Sequence, residues 1–366
     1  MFNDLYKNKK VLITGHTGFK GSWLTVWLLK LGANVVGVSK DIPTTPSMFE
    51  ELELESKIKH YKEDIRNLTA LHQIVKDEKP DFLFHLAAQP IVSLSYLDPI
   101  ETISSNVMGT ANVLQVLKEI NNKCIAIIIT SDKAYDNIEQ IWGYKEDDKM
   151  GGKDIYSGSK GAAELIVKSY FNSFYTKKDC NVKIAIARAG NVIGGADWAK
   201  DRIVVDCMQN WSEGKKVEIR SPKSTRPWQH VLEPLSGYLN LAQALYSNDF
   251  FNGEGYNFGP RAEQNRTVED LLIDLSKYWN YSNPKDSYTI TDNIPFHEAS
   301  LLKLNCDKAL GYLNWQATLE YEDTIRFTSQ WYYDFYKTEE NMYHKTIEQI
   351  DEYESKAKSR KLDWTK

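Results

Sequence analysis

Cysteine is scarce: four residues in 366, at Cys124, Cys180, Cys207 and Cys306. None stands close enough in sequence to another to make a zinc knuckle or a C-x-x-C redox pair, so no metal site is expected and the thiols are expected to be reduced. Long hydrophobic runs are also missing. The longest purely apolar stretch, Cys124–Ile129, falls far short of the ~20 residues that a membrane helix needs. The opening residues, MFNDLYKNKK, carry charge where a secretion signal would carry an apolar segment. A basic surplus is absent: 45 Lys and Arg against 50 Asp and Glu give a net charge of −5, which argues against a nucleic-acid partner. No internal repeat or low-complexity linker breaks the chain. These absences leave a cytoplasmic globular protein as the expectation, with neither nucleic acid nor membrane as partner. At 42% hydrophobic and 26% charged residues, the chain can bury a large core without staples.

What is present is alternation. Lys10–Thr14, Asn34–Ser39, Lys59–Lys62, Asp81–His85, Cys124–Thr130 and Val182–Ala187 read as strands. Helical stretches stand between them at Phe19–Leu31, from about Leu68, at Pro99–Ile120 and at Ile155–Tyr175. Continuous apolar strands between amphipathic helices imply a parallel sheet covered on both faces. With right-handed crossovers this is a doubly wound α/β fold of the Rossmann type. After Arg188 the alternation gives way to short strands, aromatics and loops, with helices near Leu232–Ser247 and Thr267–Trp279. The expected organisation is a dinucleotide-binding domain over 1–187, a smaller substrate-binding lobe over 188–342, and a polar surface helix or tail over 343–366. Trp23 and Trp27, spaced i, i+4 on the first helix, should pack under the sheet.

Gly15-His16-Thr17-Gly18-Phe19-Lys20-Gly21 follows the first strand and opens the first helix. Glycines at that spacing let the backbone turn tightly and approach a pyrophosphate, and a helix N-terminus offers free N–H groups to it. Lys20 in the first turn opposes the helix dipole, which favours an anion contact for it. The second strand ends in Ser39-Lys40-Asp41. An acid there would bind a ribose diol and a base would accept an extra phosphate, so the residues alone leave the choice of cofactor open. Asp64-Ile65-Arg66 after the third strand suggests an adenine contact.

Tyr156 and Lys160 lie four apart on one helix face. A neighbouring ammonium favours the phenolate, and such a tyrosine can take a proton from a substrate hydroxyl. Ser131-Asp132-Lys133 closes the most apolar strand, at the sheet edge where α/β folds place their sites. A hydroxyl would orient a substrate. The adjacent carboxylate and amine suggest further acid–base chemistry. His230 and His297 are isolated and read as structural residues.

These motifs make the likeness specific. TGHTGFKGSWL (14–24), HLAAQPIVSLSYLDPIETISSNVMGTANVL (85–114), TSDKAYDN (130–137), YSGSKGAAE (156–164), RAGNVIGGADWAKDRIVVD (188–206), STRPWQHVLEP (224–234) and HEASLLKLNCDKAL (297–310) resemble the nucleotide-sugar 4,6-dehydratases of the extended short-chain dehydrogenase/reductases. Within that group the chain most resembles members acting on CDP-glucose. The resemblance implies a tightly held, recycled NAD. It places Gly15, His16, Thr17, Gly18, Phe19, Lys20, Gly21, Asp64, Ile65, Leu86, Ala87, Ala88, Tyr156 and Lys160 at that cofactor. It places Gln89, Asn191, Trp198, Arg202 and Arg226 at the substrate. It implies Tyr156 as the base at the C4 hydroxyl, Ser131 as its hydrogen-bonding partner, Asp132 as the acid at C6 and Lys133 as the base at C5. Such an acid must keep its proton at neutral pH. Lysine occurs at the place of Lys133 also in C5-inverting UDP-N-acetylglucosamine dehydratases, so it does not fix the stereochemistry. A 4-epimerase would have no need of Asp132 and Lys133, and a silent NAD/NADH sensor would have no need of Ser131, Tyr156 and Lys160. The resemblance further implies a homodimer or homotetramer joined through a four-helix bundle of Pro99–Ile120 and Ile155–Tyr175.

Overall fold

The computed structural model of the chain describes residues 1–177, 180–261, 264–279, 281–291 and 301–366. Its centre is a seven-stranded, wholly parallel sheet. The strands are β1 (Lys10–Thr14), β2 (Asn34–Ser39), β3 (Lys59–Lys62), β4 (Phe82–His85), β5 (Cys124–Ile129), β6 (Val182–Ala189) and β7 (Gly255–Phe258). Their spatial order is β3-β2-β1-β4-β5-β6-β7.

Successive residues of each strand feed opposite cores, as the pleat requires. Val11, Ile13, Phe82, Phe84, Ile125, Ile127 and Ala185 pack on one face with Trp23 and Trp27 of helix α1 (Phe19–Lys30). Leu12, Leu83, Ala126, Ile128, Ile184 and Ile186 pack on the other. There they meet Leu71, Ile74 and Val75 of α2 (Leu68–Glu78) and Val113, Leu114 and Leu117 of α3 (Gly109–Glu119). Val167 of α4 (Ile155–Tyr170) joins the same face. The expected strands and both tryptophans are therefore in place.

Three features differ from the sequence reading. The expected helix Pro99–Ile120 contains a π-helical turn at Ser104–Met108. That turn serves Asn106, whose amide donates to the Gln89 carbonyl at 3.1 Å and to Ser159 Oγ at 2.8 Å. Next, β7 and α5 (Leu232–Ser247) belong to the sheet layer although both lie beyond residue 188. The lobe itself is made of two-stranded pairs and the helices Ile203–Ser212, Val268–Ser276 and Tyr321–Lys337. Finally, the last segment, expected as a surface helix or tail, is a helix that packs into the core. Helix Met342–Ser359 buries Thr346, Ile350, Tyr353 and Ala357, one stripe at helical spacing. Trp364 stacks on Phe2 and Tyr353 at 5.2 and 5.8 Å. The many charges of this segment occupy the outer face and hid the stripe.

Sheet order positions the site. β1 and β4 are neighbours while the chain between them runs outward through β2 and β3. A crevice opens at the carboxyl ends of strands where the order reverses in this way.

Candidate active site

The glycine turn lines one wall of that crevice. Gly15 has a φ of +78°, and a Cβ there would lie 2.7 Å from Ala87 N. A Cβ on Gly21 would lie 2.1 Å from the Gly15 carbonyl oxygen. Both glycines are required by close backbone approach. A Cβ on Gly18 would meet only the Gly15 carbonyl oxygen, at 3.4 Å. The outer face of the turn is thus open at the N-terminus of α1, a cradle that fits a pyrophosphate. Leu86 N and Ala87 N donate to Thr14 O at 3.0 Å and Thr14 Oγ1 at 3.3 Å. They carry the end of β4, followed by Ala88, along the turn.

Several residues expected at the cofactor also make contacts within the protein. The buried His16 ring turns inward, to Ser39 Oγ at 3.1 Å and His60 Nδ1 at 2.8 Å. Burial first, then the neighbouring His60, lowers its pKa to about 3. Thr17 Oγ1 donates to the Asp41 carbonyl at 2.7 Å. These two side chains brace the turn against the end of β2. Half-buried Phe19 packs with its ring edge toward Gly194. Asp64 pairs with Arg66 at 2.6 Å, and that guanidinium holds its carboxyl below the usual range. Ile65 is buried and packs against Gly109. Lys40 pairs with Glu101 at 3.0 Å, and Glu101 also binds Arg66. The base at the end of β2 is thereby neutralised, which weighs against an extra phosphate there.

The catalytic candidates converge at the end of β5. Ser131 caps a short helical turn, Asp132–Ala134, by accepting from Lys133 N at 3.3 Å. Its hydroxyl donates to Asp132 Oδ1 at 2.8 Å. Asp132 is buried, and burial raises its pKa against the pull of Lys133, Ser131 and Lys20. Lys133 is half-buried beside it. Helix α4 begins at Asp154, whose carboxylate accepts from Ser157 N at 2.9 Å. That cap sets Tyr156 and Lys160 on the buried face, with Lys160 Nζ 5.9 Å from the Tyr156 ring centroid.

Burial pushes Tyr156 up to about 12, partly offset by Arg202 and by a hydrogen bond with Ser131. Burial brings Lys160 down to about 8 against the charge of Glu164. Lys160 is itself desolvated, and among the protein's own cations Arg202 acts most on Tyr156. Burial lowers Lys20 to about 8, and the charges acting on it are those of Arg202, Asp132, Lys160 and Asp197.

On the substrate side, Arg202 pairs with Asp197 at 3.5 Å. Half-buried Asn191 accepts from Gln229 N at 3.3 Å through its carbonyl. Arg226 stands directly opposite Arg266 on the antiparallel pair Thr225–Pro227 and Asn265–Thr267. Arg226 Nη1 donates to Thr225 O at 2.8 Å, and the Arg266 guanidinium lies 5.1 Å from the Tyr321 ring centroid. Gln89 spends its side-chain amide on its own loop, donating to Ile91 O at 3.0 Å and Thr102 Oγ1 at 2.9 Å. Trp198 is not brought to the cleft cluster. It is 5% exposed, donates to Tyr336 OH at 3.0 Å and packs among Trp331, Tyr332 and Phe335. His230 sits between Trp23 and Phe327, a structural residue as expected. His297 lies outside the described residues. Sequence reasoning missed Arg266 and Asp197. Among the described residues, no group of three or more His, Cys, Asp or Glu could hold a metal ion. Among them, too, no helix is long and apolar enough to cross a membrane.

The fold and the glycine turn define a dinucleotide-binding α/β protein, with a tyrosine and a lysine four residues apart on the buried face of α4. The chain belongs to the GDP-mannose 4,6 dehydratase family, whose model matches residues 12–328. It is 46% identical over 334 residues to the CDP-glucose 4,6-dehydratase of Salmonella typhimurium, covering 90% of this chain and 92% of that one. Among solved structures it is similar to the UDP-glucuronic acid 4-epimerase of Bacillus cereus in complex with UDP-glucuronic acid and NAD. The TM-score is 0.75 at 25% identity, covering 89% of this chain and 99% of that one. A dTDP-glucose 4,6-dehydratase from Streptomyces venezuelae shares the fold, with a TM-score of 0.75 at 18% identity, covering 89% and 97% of the two chains.

Proposed function

We propose that this chain is an NAD-dependent hydro-lyase that converts CDP-glucose to CDP-4-keto-6-deoxyglucose and water. The observation that carries the reading is the convergence of two proton-transfer sets at one strand end, Ser131–Tyr156 and Asp132–Lys133. An epimerase or a cofactor sensor has use for at most the first. The 46% identity to a CDP-glucose 4,6-dehydratase supports the nucleotide and the sugar.

The turn Gly15–Gly21, the segment Leu86–Ala88 and Lys160 would hold NAD. When bound, it supplies a hydride acceptor at C4 that serves as the hydride donor at C6. Tyr156 takes the C4 hydroxyl proton, helped by the cations Arg202 and Lys160, while Ser131 holds the same oxygen. A C4 ketone acidifies the C5–H, and Lys133 is the base that removes that proton. Burial raises the pKa of Asp132, the direction a general acid needs, and Asp132 gives a proton to the departing C6 hydroxyl. Arg202 and the Arg226–Arg266 pair supply cations for the diphosphate.

A homodimer or homotetramer through paired helices is part of this proposal. Ile100, Met108 and Leu165 on the two helical runs are 72, 55 and 56% exposed, and Leu97, which ends the short helix just before the first run, is 80% exposed. An apolar face of that kind favours a covering partner. Charged substitutions at Leu97 and Met108 should give monomers in sedimentation, and an unchanged oligomer would exclude the bundle.

The test of function is incubation with NAD and single sugar nucleotides. Loss of one water from CDP-glucose supports the reading. Loss only from UDP-N-acetylglucosamine moves the substrate. An isomer of unchanged mass means an epimerase.

A further inference from the structure

One buried network lies beside the proposed machinery and is used by none of its steps. Glu164 is completely buried and continues the helix face of Tyr156 and Lys160 at the same four-residue spacing. Its Oε1 accepts from Thr130 Oγ1 at 2.5 Å and from Arg188 Nε at 2.8 Å. Its Oε2 accepts from Arg188 Nη2 at 2.5 Å. Arg188, on β6, is 1% exposed. Its Nη1 donates to Tyr135 OH at 2.6 Å, and that hydroxyl donates to Asn257 Oδ1 at 2.9 Å. The Arg188 guanidinium also lies 5.1 Å from the Tyr135 ring centroid.

Thr130 and Tyr135 are the residues on either side of Ser131–Ala134. Both ends of the turn that carries Ser131, Asp132 and Lys133 are therefore fastened to one ion pair. Its acid, Glu164, stands on the helix bearing Tyr156 and Lys160, and its base, Arg188, on β6. A buried ion pair is weak evidence for stability, because apolar residues of similar volume often serve as well. A geometric role accounts for this one better.

We propose that Glu164 and Arg188 are positioning residues that set the spacing between the Tyr156–Lys160 pair and the Asp132–Lys133 pair. This rests on the dehydratase reading, in which both pairs act on one sugar ring. Misplacing one pair by a fraction of an ångström slows water loss without weakening substrate binding.

Thr130→Val and Tyr135→Phe each remove one anchoring hydroxyl and leave the ion pair whole. With CDP-glucose, each is expected to lower kcat about ten- to a hundredfold while KM stays within about twofold. Thr130→Ser restores the hydroxyl and should restore kcat. Glu164→Gln should do the same damage as both together. If it fails to fold, the Thr130 and Tyr135 variants decide. Wild-type kcat in both of these variants, or a Thr130→Ser variant as slow as Thr130→Val, overturns the proposal. Wild-type protein run alongside separates the failures. No water loss from wild type refutes the dehydratase reading, whereas normal wild-type turnover with unaffected variants refutes the positioning role alone.

Discussion

Asp132→Asn should separate the two halves of the reaction and, at neutral pH, stabilise the protein while disabling it. Asparagine keeps the acceptor for Ser131 Oγ, now 2.8 Å from Asp132 Oδ1. It cannot deliver a proton to C6. Loss of a positioned general acid typically costs about 10²–10⁴ in rate, or about 3–5 kcal/mol of barrier. The C4 oxidation uses Tyr156 and Ser131 and should persist. In a single turnover, reduced cofactor should therefore form and stay, with no water lost by mass. The pH sign follows from burial. The folded-state pKa of Asp132 is raised, so its contribution to stability is full below the unfolded pKa and is lost as pH rises through the folded one. Removing the ionisable group should thus raise the melting temperature at neutral pH, by an amount corresponding to about 0.5–2 kcal/mol. Water loss at the wild-type rate in Asp132→Asn would refute the acid assignment. A lower melting temperature would refute the burial argument.

Other consequences are equally direct. Glu233 is buried, accepts from Thr318 N at 2.9 Å, Leu319 N at 2.6 Å and Tyr353 OH at 2.8 Å, and has its pKa raised to about 7. Its share of stability should be full below the unfolded carboxylate pKa and fade as pH rises through about 7, a change of about 3 kcal/mol. Denaturant midpoints across that window should slope downward in wild type and flatten in Glu233→Gln; parallel slopes would count against it. Gly18→Ala should leave the melting temperature nearly unchanged yet weaken NAD binding at least about tenfold by calorimetry, because its Cβ enters the open face of the turn; unchanged affinity would move the cofactor elsewhere. Trp364→Ala should cost about 3–5 kcal/mol in unfolding free energy, since the ring stacks between Phe2 and Tyr353. A cost within about 0.5 kcal/mol, as for an exposed surface position, would restore the picture of a surface helix or tail.

The strands were legible because parallel strands buried on both faces are continuous apolar runs, and β1, β2 and β3 have the expected limits. The glycine turn was legible because close backbone approach restricts it to glycine. Other features depended on information that composition conceals. Ile350, Tyr353 and Ala357 are diluted by charged neighbours, so their stripe reads as polar. Gly255–Phe258 alternates glycine and asparagine with two aromatics and lacks a continuous apolar run. Glu164 and Arg188 are residue types that usually face solvent, and only the fold brings them together. Lys20 reads as a phosphate ligand from its place in the turn, and the charges acting on it are those of Arg202, Asp132, Lys160 and Asp197. Local sequence carries the turn and cannot carry that encounter.

The most direct test of the account follows the C4 hydrogen of the sugar. CDP-glucose deuterated at C4 should give CDP-4-keto-6-deoxyglucose with deuterium at C6, carried within one molecule, and with solvent hydrogen at C5. A product lacking C6 deuterium, or a C4 epimer of unchanged mass, would contradict the claim that both proton-transfer sets serve one dehydration.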